Sequence, residues 1–185
     1  MHKKIDTCSH FSTVLDSEKQ RRVVERCIKE LQSVEFDTLA FIGLSGAVIA
    51  PILAYVLGKE LLMIRKNGGN DGSNSCYWIE GNLGAERVVI VDDIISTGYT
   101  MSQTMHALRA VQKRHSPSIQ VVGLLLHSKG DGDEDEILGW RTPKLYTMGC
   151  GEYAWSQMIQ SVQENDHPVL KMKMDYSDQP PLVVL

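Results

Sequence analysis

Several things this chain lacks narrow its reading at once. No run is both long and apolar enough to span a bilayer; the longest candidate, residues 39–57, is interrupted by Gly, Ser and Pro. An excess of positive charge is missing too, since the formal net charge is −4. A general nucleic-acid or membrane-surface binder normally carries a basic face, so neither class of partner is expected. The thiols Cys8, Cys27, Cys76 and Cys150 are scattered without a C-x-x-C pair, which fits reduced cysteines rather than a zinc site or a disulfide frame. No G-x-G-x-x-G follows a strand, so the fingerprint of a dinucleotide-binding fold is absent. The opening residues, MHKKIDTCSHF, have two lysines but no apolar h-region. A signal peptide is therefore not expected, and the chain is placed in the cytoplasm.

What is present suits one α/β domain. The chain has 185 residues, 43% hydrophobic and 23% charged, enough for one sizeable core. Residues 17–34 set Val23, Val24, Cys27, Ile28 and Leu31 at helical spacing, with Ser17 as the expected N-cap. Residues 38–43 (TLAFIG) read as a strand, and after a small-residue turn residues 47–57 read as a buried helix ended by Gly58. Further strands are expected at 60–64 (ELLMI), 87–91 (RVVIV), 119–126 and 144–148, and further helices at 100–114 and 152–163. Residues 67–75 (NGGNDGSNS) have no apolar side chain and read as a mobile loop. Strands alternating with helices imply a largely parallel sheet.

The segment 88–101, VVIVDDIISTGYTM, concentrates the chemistry. An apolar strand ends in Asp92 and Asp93, and a turn rich in Ser, Thr and Gly then opens a helix. Ligands of open α/β sheets bind at the carboxyl ends of the strands. The backbone N–H groups of Ile95, Ser96, Thr97, Gly98, Tyr99 and Thr100 can converge there, aided by the partial positive charge of the helix start. Gly98 permits close approach, and the hydroxyls of Ser96, Thr97 and Thr100 add donors. Such a turn can hold a dianionic monophosphate. The two acids cannot serve a phosphate; ribose hydroxyls and Mg²⁺, which takes one or two carboxylates with substrate oxygens and water, suit them better. The bland alternative is a strand end whose acids cap the next helix.

This run closely resembles the phosphoribosyl-diphosphate signature of type I phosphoribosyltransferases. The resemblance implies that Asp92 and Asp93 contact the ribose hydroxyls and Mg²⁺, and that 95–100 hold the 5-phosphate. Residues 41–50 (FIGLSGAVIA) resemble the family's diphosphate loop, which would make the amides of Leu44, Ser45 and Gly46 ligands of the leaving group. Arg65 and Lys66 match the family's frequent R-K pair beside that diphosphate. Residues 67–75 occupy the place of the flexible lid, although no basic residue occurs between Asn67 and Gly84, where orotate-type members carry Lys and His. Residues 75–81 (SCYWIEG) are loosely similar to a stretch of adenine phosphoribosyltransferases, which makes Glu80 a candidate acid/base; an ordinary exposed β-hairpin is the competing reading. Residues 148–153 (MGCGEY) are similar to the glycine-rich turn and acid of the hypoxanthine-guanine enzymes, which puts Glu152 near a metal-binding position.

The fold implied is that of type I phosphoribosyltransferases: a five-stranded, mainly parallel sheet flanked by helices, core about 37–150, with a small hood from 1–36 and 151–185. The implied activity is transfer of ribose 5-phosphate from 5-phosphoribosyl 1-diphosphate to a nucleobase, with Mg²⁺ as cofactor and a homodimer as the assembly. Ser96 stands where enzymes for 6-oxopurines commonly have Asp, which favours adenine or orotate; the Glu152 segment points the other way, so the base stays open. The rival reading is a regulatory module that senses phosphoribosyl diphosphate without turnover, favoured by the bare lid and disfavoured by the lack of any basic face. The acidic run 131–136 departs from an EF-hand at its sixth and twelfth positions and reads as a solvated loop. His106 and His115 lie nine apart on a helix, off any common metal-binding face, and His127 reads as a rim residue. Trp78, Trp140, Tyr146 and Trp155 are either core or a stacking ring for the base.

Overall fold

A computed structural model describes residues 12–66, 79–94, 99–127 and 144–147. In chain order these form α1 (Ser12–Leu15), α2 (Ser17–Leu31), β1 (Thr38–Ile42), α3 (Gly43–Ala47), α4 (Ala50–Leu57), β2 (Glu60–Ile64), β3 (Ile79–Gly81), β4 (Arg87–Asp92), α5 (Tyr99–Arg114), β5 (Gln120–Leu126) and β6 (Lys144–Thr147). The six strands among the described residues make one sheet of order β3-β2-β1-β4-β5-β6. The central four, β2, β1, β4 and β5, run parallel, while β3 and β6 are antiparallel edges. The mainly parallel α/β sheet is as expected, with six strands in place of five. The added one, β3, falls at the end of the stretch whose competing reading was a hairpin, and it pairs with β2 from Leu62↔Gly81 to Ile64↔Ile79.

Both faces of the sheet are covered, which explains why its central strands read as continuous apolar runs. Side chains alternate across a strand. Ala40, Ile42, Val88, Ile90, Leu124 and Leu126 therefore face α5, where they meet Met101, Ala107, Leu108 and Val111. Their neighbours Leu39, Phe41, Val89, Val91 and Leu125 face the other way, against α2 and α4. Val23, Val24, Cys27 and Leu31 form the buried stripe of α2. Thus α2, part of the segment assigned to the hood, packs on the sheet with its core residues; of the expected hood, 1–11 and 151–185 fall outside the described residues. Burial pushes the Cys27 thiol far above its ordinary pKa, so it packs as a small apolar side chain.

Three boundaries differ from expectation for local reasons. The N-cap of α2 is Asp16, not Ser17: its carboxylate accepts from the N–H groups of Glu18 and Lys19 at 3.1 and 3.0 Å, and its charge suits the helix start. The buried helix starts at Ala50 rather than residue 47, because Pro51 cannot donate a backbone hydrogen bond and occupies a first-turn position. Residues 44–46, expected as a small-residue turn, wind together with Gly43 and Ala47 into the short helix α3. At the far end of α4, Gly58 adopts φ +62°, the left-handed C-cap that the glycine signal implied. Among the described residues, no helix is long and apolar enough to cross a membrane.

Candidate functional site

Strand order locates the site before any side chain is considered. The chain leaves β1 toward β2 on one side, and β4 then pairs with β1 on the other. This reversal opens a crevice beyond the carboxyl ends of β1 and β4, the usual ligand position in open α/β sheets. The register Phe41↔Val91 sets those ends level. α3 emerges from one of them and Asp92 and Asp93 from the other.

Both carboxylates are buried, with Asp92 2% and Asp93 8% exposed. Asp92 Oδ1 accepts from Ser45 Oγ at 2.7 Å and from the Asp93 N–H at 3.0 Å, and Asp93 Oδ1 accepts from the Ile94 N–H at 2.8 Å. Burial, reinforced by the neighbouring Asp93, pushes the Asp92 carboxyl up to about 7 despite the Ser45 hydrogen bond. Two adjoining oxygen donors in a low-dielectric crevice favour a cation beside them. They suit Mg²⁺, which needs few protein ligands when substrate and water complete its shell. Among the described residues there is no cluster of three or more His, Cys, Asp or Glu that could hold a metal alone, so a self-sufficient metal cage is not formed there.

The α3 turn is fitted closely against these acids. A Cβ on Gly46 would come within 2.5 Å of Phe41 Cβ and 2.7 Å of the Val91 carbonyl oxygen, so only glycine lets the turn settle on the ends of β1 and β4. Gly43, at φ +68°, turns the chain out of β1, and the Lys66 side chain crosses it: a Cβ there would lie 2.6 Å from Lys66 Cε. Lys66 thus brings its ammonium over α3. Arg65 makes a different contact, donating from Nε to Glu80 Oε1 at 2.6 Å across the β2/β3 pair. The R-K pair is therefore divided between the α3 turn and Glu80, and the candidate acid/base is held in an ion pair.

Tyr99 and Thr100 open α5; Tyr99 is exposed, and its hydroxyl accepts from Gln103 Nε2 at 3.1 Å. Ile95, Ser96, Thr97, Gly98 and Glu152 lie outside the described residues, as do the 67–75 lid segment, the 131–136 run and Trp78, Trp140 and Trp155. Tyr146 packs against the core on the α5 face.

His127 is the residue the sequence reading misplaced. Far from a rim position, it is 1% exposed. Its Nε2 donates to the Ser45 carbonyl at 2.9 Å, and its backbone N–H donates to the Asp92 carbonyl at 3.0 Å. Burial holds its pKa below the ordinary histidine value. The available signal was its place directly after an apolar parallel strand, at the same end of the sheet as Asp92.

Residues 10–137 match the model of the phosphoribosyl transferase domain, and the chain belongs to that family. Among curated proteins it is 33% identical over 128 residues to the transcriptional regulator GfcR of Methanocaldococcus jannaschii, covering 66% of this chain and 57% of the relative. It is 32% identical over 105 residues to the hypoxanthine/guanine phosphoribosyltransferase of Methanopyrus kandleri, covering 51% of this chain and 56% of the relative. The chain thus spans little more than half the length of these relatives. A crystal structure of adenine phosphoribosyltransferase from Thermoanaerobacter pseudethanolicus is similar with a TM-score of 0.46 at 25% identity, over 60% of this chain and 69% of that one.

Proposed function

We propose that this chain binds 5-phosphoribosyl 1-diphosphate with Mg²⁺ and transfers its ribose 5-phosphate to a nucleobase. The observation that carries the reading is the buried Asp92–Asp93 pair facing the α3 turn across the switch point, in a chain of this family. The two carboxylates hold the ribose hydroxyls and offer oxygen ligands to the metal. The amides of Leu44, Ser45 and Gly46, with Lys66 above them, receive the diphosphate, and residues 95–100 receive the 5-phosphate. Magnesium, when bound, supplies positive charge to the departing diphosphate. The bond from ribose C1 to the diphosphate oxygen breaks with its electron pair leaving on oxygen, and a base nitrogen forms the new bond to C1 from the opposite face, its N–H proton passing to water. No side chain is needed as nucleophile; placed donors and charges act on the developing charge. Glu80 can serve as acid or base only when it parts from Arg65.

For the base, Ser96 favours adenine or orotate over 6-oxopurines. A second reading is kept because a specific observation favours it: a relative 33% identical is named a transcriptional regulator. On that reading the same crevice senses phosphoribosyl diphosphate without turning it over. A panel of adenine, orotate, hypoxanthine and guanine, each with phosphoribosyl diphosphate and Mg²⁺ and followed by diphosphate release, separates the two. Release with adenine or orotate is the expected result; transfer confined to hypoxanthine or guanine overturns the base preference. Tight binding with no release on any base supports the sensor.

A further inference from the structure

We infer that His127 is a positioning residue that sets the diphosphate-facing amide of the α3 turn. The inference rests on the proposed diphosphate role of that turn. In an α-helix the Ser45 carbonyl would accept from the N–H of Ile49, but that N–H bonds to the Gly46 carbonyl at 3.2 Å instead. The Ser45 carbonyl is thereby released from the helical ladder, and a half-buried backbone acceptor facing a buried side chain is best satisfied by another donor. His127 Nε2 supplies it at 2.9 Å, from a residue 82 positions further along the chain. A carbonyl can only accept, so the imidazole carries its proton on Nε2. The consequence follows from the planar trans peptide: the Ser45 carbonyl and the Gly46 N–H belong to one unit and point in opposite directions. Drawing the carbonyl toward His127 turns the Gly46 N–H away from it.

Two further bonds make the arrangement closed. Ser45 Oγ reaches Asp92 Oδ1, and the His127 N–H reaches the Asp92 carbonyl. The α3 turn, the end of β4 and the end of β5 are therefore joined through Ser45, Asp92 and His127, so the amide is aimed relative to the same acids that hold the sugar. Gly46 has little room to shift inward, because even a Cβ on it would meet Phe41 Cβ and the Val91 carbonyl oxygen. The turn can only rotate about its own peptides, and His127 opposes that rotation.

The test compares His127→Leu, which fills the space without donating, with His127→Gln, whose amide nitrogen can take the place of Nε2. Calorimetry with inorganic diphosphate plus Mg²⁺ probes the α3 side, and ribose 5-phosphate probes the 95–100 side. The Leu variant is expected to lose about fivefold in diphosphate affinity, as for a partly buried acceptor left without its donor. It should keep ribose 5-phosphate affinity within about twofold, and the Gln variant should recover most of the loss. Should the Leu variant fail to fold by circular dichroism, His127→Asn replaces it, since its shorter amide falls short of Ser45 and must behave as Leu is expected to. Equal loss for both probes means a general structural role and overturns the inference, as does unchanged diphosphate binding or failure of Gln to rescue. A wild-type protein that binds neither probe overturns the functional reading itself, which distinguishes that failure from this one.

Discussion

Asp92 gives the most direct link between the site and a measurable property of the whole fold. Its carboxyl is shifted from 3.8 to about 7, chiefly by burial. A raised folded-state value means that the folded protein holds the proton more tightly than the unfolded chain. The stability this contributes is fully present below about pH 4 and is lost as pH climbs through about 7. At about 1.4 kcal/mol for each pH unit in that window, the ceiling is about 4 kcal/mol. Relaxation of the crevice toward the charge reduces this, and a difference of about 1–3 kcal/mol is expected. Asp92→Asn removes the ionisation while its Oδ1 can still accept from Ser45 and the Asp93 N–H. In the absence of Mg²⁺ the variant should exceed wild type only slightly at pH 4.5 and by that amount at pH 7.5. Urea unfolding at both pH values, with a common slope, reads the difference as a shift in midpoint. A gap that fails to widen between pH 4.5 and 7.5, or a variant less stable than wild type at pH 7.5, refutes the reasoning.

Two more outcomes follow from the same geometry. Asp92→Asn combined with Asp93→Asn should leave the protein folded but remove Mg²⁺-dependent binding of phosphoribosyl diphosphate; unchanged affinity by calorimetry in a folded double variant removes the assignment of these acids. Lys66→Ala should weaken inorganic diphosphate with Mg²⁺ by about tenfold, whereas Arg65→Ala, whose Nε is bonded to Glu80, should weaken it much less. The reverse order of effects would show that the ion pair opens on binding and that Arg65 is the working cation.

Fold and site differ in how much of each could be read from the residues alone. Hydrophobic runs and their periods located all four parallel strands and the helices α2 and α5 to within a few residues, because burial on both faces writes itself into continuous apolar sequence. β3 was harder: Ile79–Gly81 is three residues long, none of them fully buried, so pairing to β2 rather than composition makes it a strand. The acids drew notice because adjacent carboxylates at the end of an apolar strand have few structural uses, and both are buried there. What could not be read were the contacts between distant segments. Arg65 and Lys66 are neighbours on the page but part in space, since successive residues leaving a strand point to opposite sides; one turns to Glu80 and the other to Gly43. His127 was misjudged for a related reason. A histidine after a strand is usually at the surface, and its contact here is with a carbonyl in the last turn of α3, one of those that every helix end leaves outside its ladder, in a five-residue helix that no periodicity announces. The site is thus built from what the regular elements leave over: the ends of β1, β4 and β5, a carbonyl outside the helical ladder, and a carboxylate that burial alone would keep protonated.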